Sequence, residues 1–167
     1  MAAISLVSSL HYNSHPIKFA WSFPDGEIMS YLIKPEPDWV DWDDYAENYI
    51  HGISRAQLEA EGLPAVEVVE KMTAALAGHT VYTSDSMFDA KWCEKLFDCN
   101  GYSGPLPFKF GDFKVLLQSH FGLQGMPSES LIIRTQERVR KSIGTRHRAA
   151  SDAQFLRDVF VSLTSGY

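Results

Sequence analysis

The spacing of apolar residues divides this chain into two parts that meet near residue 54. In the first part, short apolar runs predict three β-strands, at 3–10, 16–23 and 28–33. In the second of these strands Ile17, Phe19 and Trp21 fall on one face, and a turn-forming sequence leads into the third strand. The short connections predict antiparallel pairing in this part of the chain.

The second part has the longer period of α-helices. Ser54 and Ser128 are predicted to cap helices that end near residues 61 and 143, where glycines follow. Further helices are predicted at 64–77, from residue 86, at 115–121 and at 148–163, with short strands at 79–83 and 108–113. Two of these helices have predicted apolar faces, formed by Val66, Val69, Met72 and Leu76, and by Phe88, Trp92, Leu96 and Phe97. Helices and strands that alternate after an antiparallel start predict an α/β fold with a mixed sheet covered by helices.

Length and composition are those of one globular domain, which we expect to span residues 1–167. No run approaches the roughly 18 consecutive apolar residues of a membrane span, and no basic residue precedes the first apolar run. Cys93 and Cys99 match no metal-ligand spacing and are expected to be reduced, packing thiols. These features predict a cytoplasmic protein with no membrane partner.

Charge is segregated along the chain, although the net charge is −6. Six acidic residues and no basic residue fall between positions 36 and 47. The basic residues near the C-terminus are Arg134, Arg138, Arg140, Lys141, Arg146 and Arg148. Such a cluster indicates either a face that binds a polyanion or a solvated helix surface, and the charge pattern leaves both open.

Three polar groups fall where ligands collect in α/β sheets, at strand ends and helix starts. Asp89 lies one turn into a helix and is either a metal ligand or a partner of the helix dipole. His147 and Asp152 flank the start of the last helix, an arrangement that lets a general base and a carboxylate ligand face one pocket. His51 lies in a loop and either contacts a substrate or caps a turn.

Together these segments resemble the DEDDh type of 3′–5′ exonuclease, in the RNase H-like superfamily. Residues 50–53 read Ile-His-Gly-Ile, residues 81–89 end in Phe-Asp, and residues 147–152 read His-x-x-x-x-Asp, in the order and spacing of the family. The resemblance implies a five-stranded mixed sheet flanked by helices.

The resemblance also implies a metal-dependent site. In it Asp89 and Asp152 would bind Mg²⁺ or Mn²⁺, and His147 would deprotonate the attacking water. The 3′ ends of single-stranded DNA or RNA are the implied partners. The residues expected to contact them are His51, Arg146 and Arg148.

The chain departs from the family on its first strand, where members carry Asp-x-Glu. Aligning backwards from residues 15–17 places Ile4 and Leu6 at those two positions, and no acidic residue precedes Asp25. Two carboxylates therefore remain where the family uses four to hold two divalent ions. Acidic residues that would have to substitute from neighbouring positions are Glu27, Asp85 and Asp112. Nuclease activity is predicted to be weak or lost.

Three functions are consistent with these observations. The first is a 3′–5′ exonuclease that works with unusual ligands. The second is a catalytically inactive pseudoenzyme that binds nucleic acid ends through the basic cluster. The third is a protein-interaction module in which Trp39, Trp42 and Tyr45 form an exposed patch, unless these aromatics fold back as a lid over the core. The sequence leaves the oligomeric state open.

Overall fold

A mixed β-sheet forms the centre of the molecule. The computed structural model describes residues 14–83, 86–122, 125, 127–143 and 149–165, and the backbone of residues 2–8. Its strands are β1 (Ala2–Ser8), β2 (Pro16–Ser22), β3 (Ile28–Leu32), β4 (Thr80–Thr83) and β5 (Lys109–Asp112). They lie in the order β3-β2-β1-β4-β5. β2 pairs antiparallel with β1 and β3, whereas β4 pairs parallel with β1 and β5, as expected from hairpins followed by α/β crossovers.

Helices account for most of the remaining described chain. They are α1 (Asp44–Ala46), which continues into a π-helical turn (Glu47–His51), then α2 (Arg55–Glu61), α3 (Ala65–Leu76), α4 (Ser86–Asp98), α5 (Phe113–Phe121), α6 (Glu129–Ile143) and α7 (Ala149–Thr164). Ser54 Oγ accepts a hydrogen bond from the Gln57 backbone N–H at 3.1 Å, and Ser128 Oγ accepts one from Leu131 N–H at 3.3 Å. The predicted caps of α2 and α6 are therefore confirmed.

Both faces of the sheet are buried. On one face Phe19 and Trp21 of β2 belong to a core that they share with α3 and α4. On the other face Ala20 packs with Ala149 and Ala153 at the start of α7, where small side chains let the helix lie close to the strand. Ile17 belongs to this second cluster too, which corrects the prediction that it shares a face with Phe19 and Trp21. The β1–β2 pairing is irregular at this point and passes over Ile17.

A separate cluster joins the last three helices. Its buried members are Phe113, Leu117, Phe121, Val139, Leu156, Val159 and Leu163. Packing of Val139 in this cluster fixes α6 beside α7. The next residue, Arg140, consequently lies beside the first turns of α7, where the sequence places Asp152.

The predicted apolar faces of α3 and α4 were partly wrong. In α3 the buried residues are Ala65, Val68, Met72 and Leu76, while Val66 is 49% exposed. In α4 Phe88 is 41% exposed, whereas Asp89 and Cys93 are buried. A helix turns by about 100° per residue, so an error of one position moves a side chain to another face. The buried face of α4 therefore includes the carboxylate of Asp89.

The acidic and aromatic segment is more ordered than its sequence predicts. Asp43 caps α1, because its Oδ1 accepts hydrogen bonds from Tyr45 N–H at 2.9 Å and Ala46 N–H at 3.2 Å. Trp39 is only 4% exposed and packs in the core with α3 and α4. The exposed patch proposed for Trp39, Trp42 and Tyr45 is therefore wrong for Trp39, which covers the core instead.

Cys93 and Cys99 are both free thiols. Cys93 is buried, and burial raises the pKa of its thiol well above the ordinary value. Cys99 is exposed, which corrects the expectation that both cysteines pack in the interior. Within the described ranges, no helix combines the length and apolar character needed to cross a membrane.

Candidate functional site

Asp89 is held on the buried side of α4. It is 5% exposed and lies in the first turn of the helix, directly after β4. The hydroxyl of Thr83, the last residue of β4, donates a hydrogen bond to Asp89 Oδ2. A carboxylate can remain in such a buried place only when polar groups compensate for its lost hydration.

Asp152 lies in the first turn of α7 and forms an ion pair with α6. Its Oδ1 accepts a hydrogen bond from Arg140 Nη1 at 3.2 Å, and both side chains are about three-quarters buried, with 24% and 22% of their surface exposed. The Arg140 guanidinium also stacks on Phe155, with its central carbon 3.8 Å from the ring centroid. The ring holds the guanidinium beside the Asp152 carboxylate. The carboxylate is therefore paired with a cation that belongs to the protein itself.

The first strand places its two unusual positions opposite apolar core residues. In the β1–β2 register Ile4 pairs with Trp21, and Leu6 pairs with Phe19. Both partners on β2 belong to the core shared with α3 and α4. The two positions that the sequence alignment equates with Asp and Glu of the resembled family are thus in register with apolar core residues of β2.

His51 closes the π-helical turn that precedes α2. The side chain is 3% exposed, and its Nδ1 accepts a hydrogen bond from Ile53 N–H at 3.1 Å. Burial lowers the pKa of His51 below 6.5, against the smaller raising effect of Glu47 and Asp43. A neutral ring that accepts from the backbone two residues ahead corresponds to the turn-capping alternative.

The other predicted site residues divide into two groups. His147, Arg146, Arg148 and the substitute ligand Asp85 lie outside the described residues. Glu27 is exposed in the β2–β3 turn. Asp112 caps α5, where its Oδ1 accepts from Lys114 N–H at 2.7 Å and Val115 N–H at 3.1 Å. Among the described residues, neither of these two carboxylates forms a cluster of three or more potential metal ligands with Asp89 or Asp152.

The donor set does not fit the two-metal site that the resemblance implies. Ile4 and Leu6 carry no ligand oxygen, and Asp152 is already paired with Arg140. Among the residues that the structure describes, no group of three or more His, Cys, Asp or Glu is arranged to hold a metal ion. Divalent ions of the Mg²⁺ type need several oxygen ligands, and a guanidinium in contact with the carboxylate repels them.

A groove runs beside the ion pair, between α6 and α7. Its volume is about 440 Å³, and its lining residues are Gln136, Glu137, Arg140, Lys141 and Phe155. Lys141 is exposed, and so are Arg134 and Arg138 on the same helix. Arg140 and Lys141 belong to the basic cluster of the sequence and outnumber Glu137 in the groove lining, while Arg134 and Arg138 add positive charge elsewhere on α6.

Sequence reasoning missed the residues that decide this site. Thr83 lies within the 81–89 motif but was given no role, Phe155 belongs to no motif, and Arg140 was noted only for its charge. One signal was available, because Arg140 belongs to a basic run near a motif carboxylate. The pairing itself depends on how α6 packs against α7, which no local pattern encodes.

Comparison with solved structures identifies the fold. The chain is similar to Escherichia coli exonuclease I in complex with a dA16 oligonucleotide, with a TM-score of 0.68 and 14% identity over 98% of this chain and 40% of the exonuclease. The same exonuclease also matches as a zinc-bound complex with single-stranded DNA, with a TM-score of 0.60 and 16% identity over 99% of this chain and 39% of that chain. This chain therefore spans about two-fifths of the length of those exonuclease chains.

Two further structures cover the chain almost completely. The nuclease domain of 3′hExo, a DEDDh family member bound to rAMP, has a TM-score of 0.66 and 13% identity over 99% of this chain and 91% of that domain. Cell-death related nuclease 4 has a TM-score of 0.65 and 12% identity over 99% of this chain and 63% of the nuclease. No protein-family model and no curated protein sequence matches the chain. The chain has an exonuclease-like α/β fold, and identities this low establish the fold alone.

Proposed function

We propose that this protein is an exonuclease-like pseudoenzyme that binds single-stranded DNA or RNA ends and hydrolyses them weakly or not at all. The observation that carries the proposal is the Arg140–Asp152 ion pair, in which a guanidinium contacts the carboxylate that the resemblance assigns to a metal ion. The ion pair does not activate water, since an arginine stays protonated and coordinates no hydroxide. The positive charge offered to phosphate comes from the neighbouring exposed Lys141. The proposed site therefore binds nucleic acid without hydrolysing it efficiently.

Two further observations support nucleic acid as the ligand. The exposed Lys141 lines the groove beside the ion pair, and Arg134 and Arg138 are exposed elsewhere on α6; such residues contact phosphates independently of sequence. The structural neighbours include an exonuclease solved with bound oligonucleotides. The proposal includes one domain over residues 1–167 and a cytoplasmic location, which suits the free thiols of Cys93 and Cys99.

The proposal is tested by the binding of a 5′-labelled single-stranded oligonucleotide, followed by fluorescence anisotropy. Removing two exposed charges of α6 in Arg138→Ala/Lys141→Ala is expected to weaken binding by about tenfold and to reduce its dependence on salt. The matched control is Lys109→Ala/Lys114→Ala, which removes two exposed charges from β5 and α5.

The control variant is expected to bind like the unaltered protein. Equal weakening in both variants would mean that only the total charge matters, and the α6 site would be wrong. An unaltered protein that binds no oligonucleotide at low salt would contradict the proposal altogether.

A further inference from the structure

The segment between β3 and α2 exposes apolar side chains on a well-held backbone. Val40 is 78% exposed, Tyr45 is 60% exposed and Tyr49 is 75% exposed. The rings of Tyr45 and Tyr49 contact each other at 5.0 Å between centroids, because they lie four residues apart on one helical face. We call these three side chains the tyrosine ridge.

The ridge does not result from a loosely packed loop. Asp43 caps the helical segment beneath it, and the Trp42 indole N–H donates to Glu47 Oε2 at 2.7 Å. On the inner side of the same segment Ala46 is completely buried and His51 is 3% exposed. The tyrosines are thus presented in a fixed orientation, which lowers the entropy that a partner must overcome on binding.

Charge determines which partner fits the ridge. Asp38, Asp41 and Asp44 are exposed in the same segment, in a stretch of sequence with no basic residue. An acidic surface repels phosphate, so the ridge is unsuited to the nucleic acid that we assign to α6. Acidic residues around exposed aromatic rings complement a segment that carries both basic and aliphatic side chains.

We propose that the tyrosine ridge is a docking site for a basic, amphipathic segment of a partner protein. Its aliphatic side chains pack against Tyr45 and Tyr49, and its lysines or arginines face the surrounding aspartates. Since this surface is formed by the segment before α2, and nucleic acid binding is assigned to α6, the two sites can be tested separately. Both can be engaged by one molecule of the protein.

The probe is a fluorescently labelled helical peptide of leucine and lysine, titrated with the full-length protein. Tyr45→Ser/Tyr49→Ser is expected to weaken peptide binding by about tenfold, in keeping with the contribution of aromatic residues at interfaces. The matched control is Met87→Ser/Val115→Ser, which removes two exposed apolar side chains, 72% and 57% exposed, from α4 and α5. The control is expected to bind normally, and a peptide of leucine and glutamate is expected not to bind.

Several results would overturn the docking proposal. The first is that the unaltered protein does not bind the leucine–lysine peptide. The second is that the tyrosine variant binds it as well as the unaltered protein, and the third is that the control variant loses as much affinity as the tyrosine variant. If sedimentation shows that the unaltered protein self-associates and that only the tyrosine variant does not, the ridge would bind a second copy of the chain instead. Loss of oligonucleotide affinity in that variant would place the ridge in the nucleic acid site and remove the proposed partner.

Discussion

At the scale of single residues, the two motif carboxylates that the structure describes have protein partners. Asp89 accepts a hydrogen bond from Thr83, and Asp152 pairs with Arg140. An acidic residue retained at a family position can therefore serve the fold without serving catalysis. The chemistry of a position is set by its neighbours as much as by its own side chain.

A structural role for Asp89 predicts a specific pattern of stability. Asp89→Ala and Thr83→Val are each expected to lower the free energy of unfolding by about 1–3 kcal/mol, because each removes a hydrogen bond between two buried polar side chains. The double variant is expected to lose less than the two losses added together, by about 1 kcal/mol. Urea unfolding of the four proteins measures this coupling.

The same experiment distinguishes a metal-binding role. Repeating the unfolding with Mn²⁺ is expected to leave the stability of the unaltered protein unchanged. Stabilisation by Mn²⁺ that disappears in Asp89→Ala would identify Asp89 as a ligand, since binding to the folded state alone raises stability.

The sequence predicted the identity of these residues better than their contacts. Asp89 and Asp152 were recognised as candidates, and the structure places both at helix starts. The pairing of Asp152 with Arg140 could not be foreseen, because it joins two helices whose packing is set by a separate apolar cluster. The burial of Trp39 corresponds to the alternative in which the aromatics fold back as a lid over the core.

At the scale of elements, helices with a strong local start were the most predictable. Ser54 and Ser128 marked the starts of α2 and α6 because capping is a local interaction. The helical segment that carries the tyrosine ridge was missed. Its cap, Asp43, is one of several neighbouring acidic residues, and its short length gives no helical period to detect.

The end of α2 provides a prediction at this scale. Backbone hydrogen bonds hold the segment after α2 against the segment after β3, including Lys34 N–H to Leu63 O at 2.8 Å. This approach depends on Gly62, where an added Cβ would lie 2.4 Å from Leu58 O and 2.6 Å from Lys34 N. The backbone dihedrals of Gly62 suit any residue, so the requirement is for space.

Gly62→Ala is expected to lower the free energy of unfolding by about 3 kcal/mol, because the atoms in the way belong to the backbone and cannot rotate aside. Gly104→Ala is the control, since the nearest atom to its added Cβ is a Tyr102 side-chain carbon at 3.7 Å. Urea unfolding compares the two variants. Equally small losses of unfolding free energy in both variants would show that the segments after α2 and after β3 are not closely packed.

At the scale of the whole molecule, the fold is exonuclease-like, while the site residues depart from the motifs that the sequence resembles. The mixed sheet and its helices match structures of exonucleases over almost the entire chain. On the first strand the chain carries Ile4 and Leu6 at the positions that align with Asp and Glu of the resembled family. A fold can persist after such a change because its stability depends on the buried core and not on the site.

Two surfaces of opposite charge lie on different elements of this molecule. Arg140 and Lys141 of α6 line the groove and further basic residues are exposed on that helix, whereas exposed acidic residues lie in the same segment as the tyrosine ridge. A net charge of −6 hides this arrangement, which became visible in sequence only as two separate runs. Salt is therefore expected to weaken both proposed interactions.

The central claim, that nucleic acid binding has been separated from metal-dependent hydrolysis, is tested most directly by one assay. A 5′-labelled single-stranded oligonucleotide is incubated with the protein in a metal chelator or in Mn²⁺, and each sample is measured for bound fraction and for oligonucleotide length. The account predicts the same affinity in both conditions and an oligonucleotide that keeps its full length. Affinity that requires Mn²⁺, or stepwise shortening from the 3′ end that stops with the chelator, would contradict it.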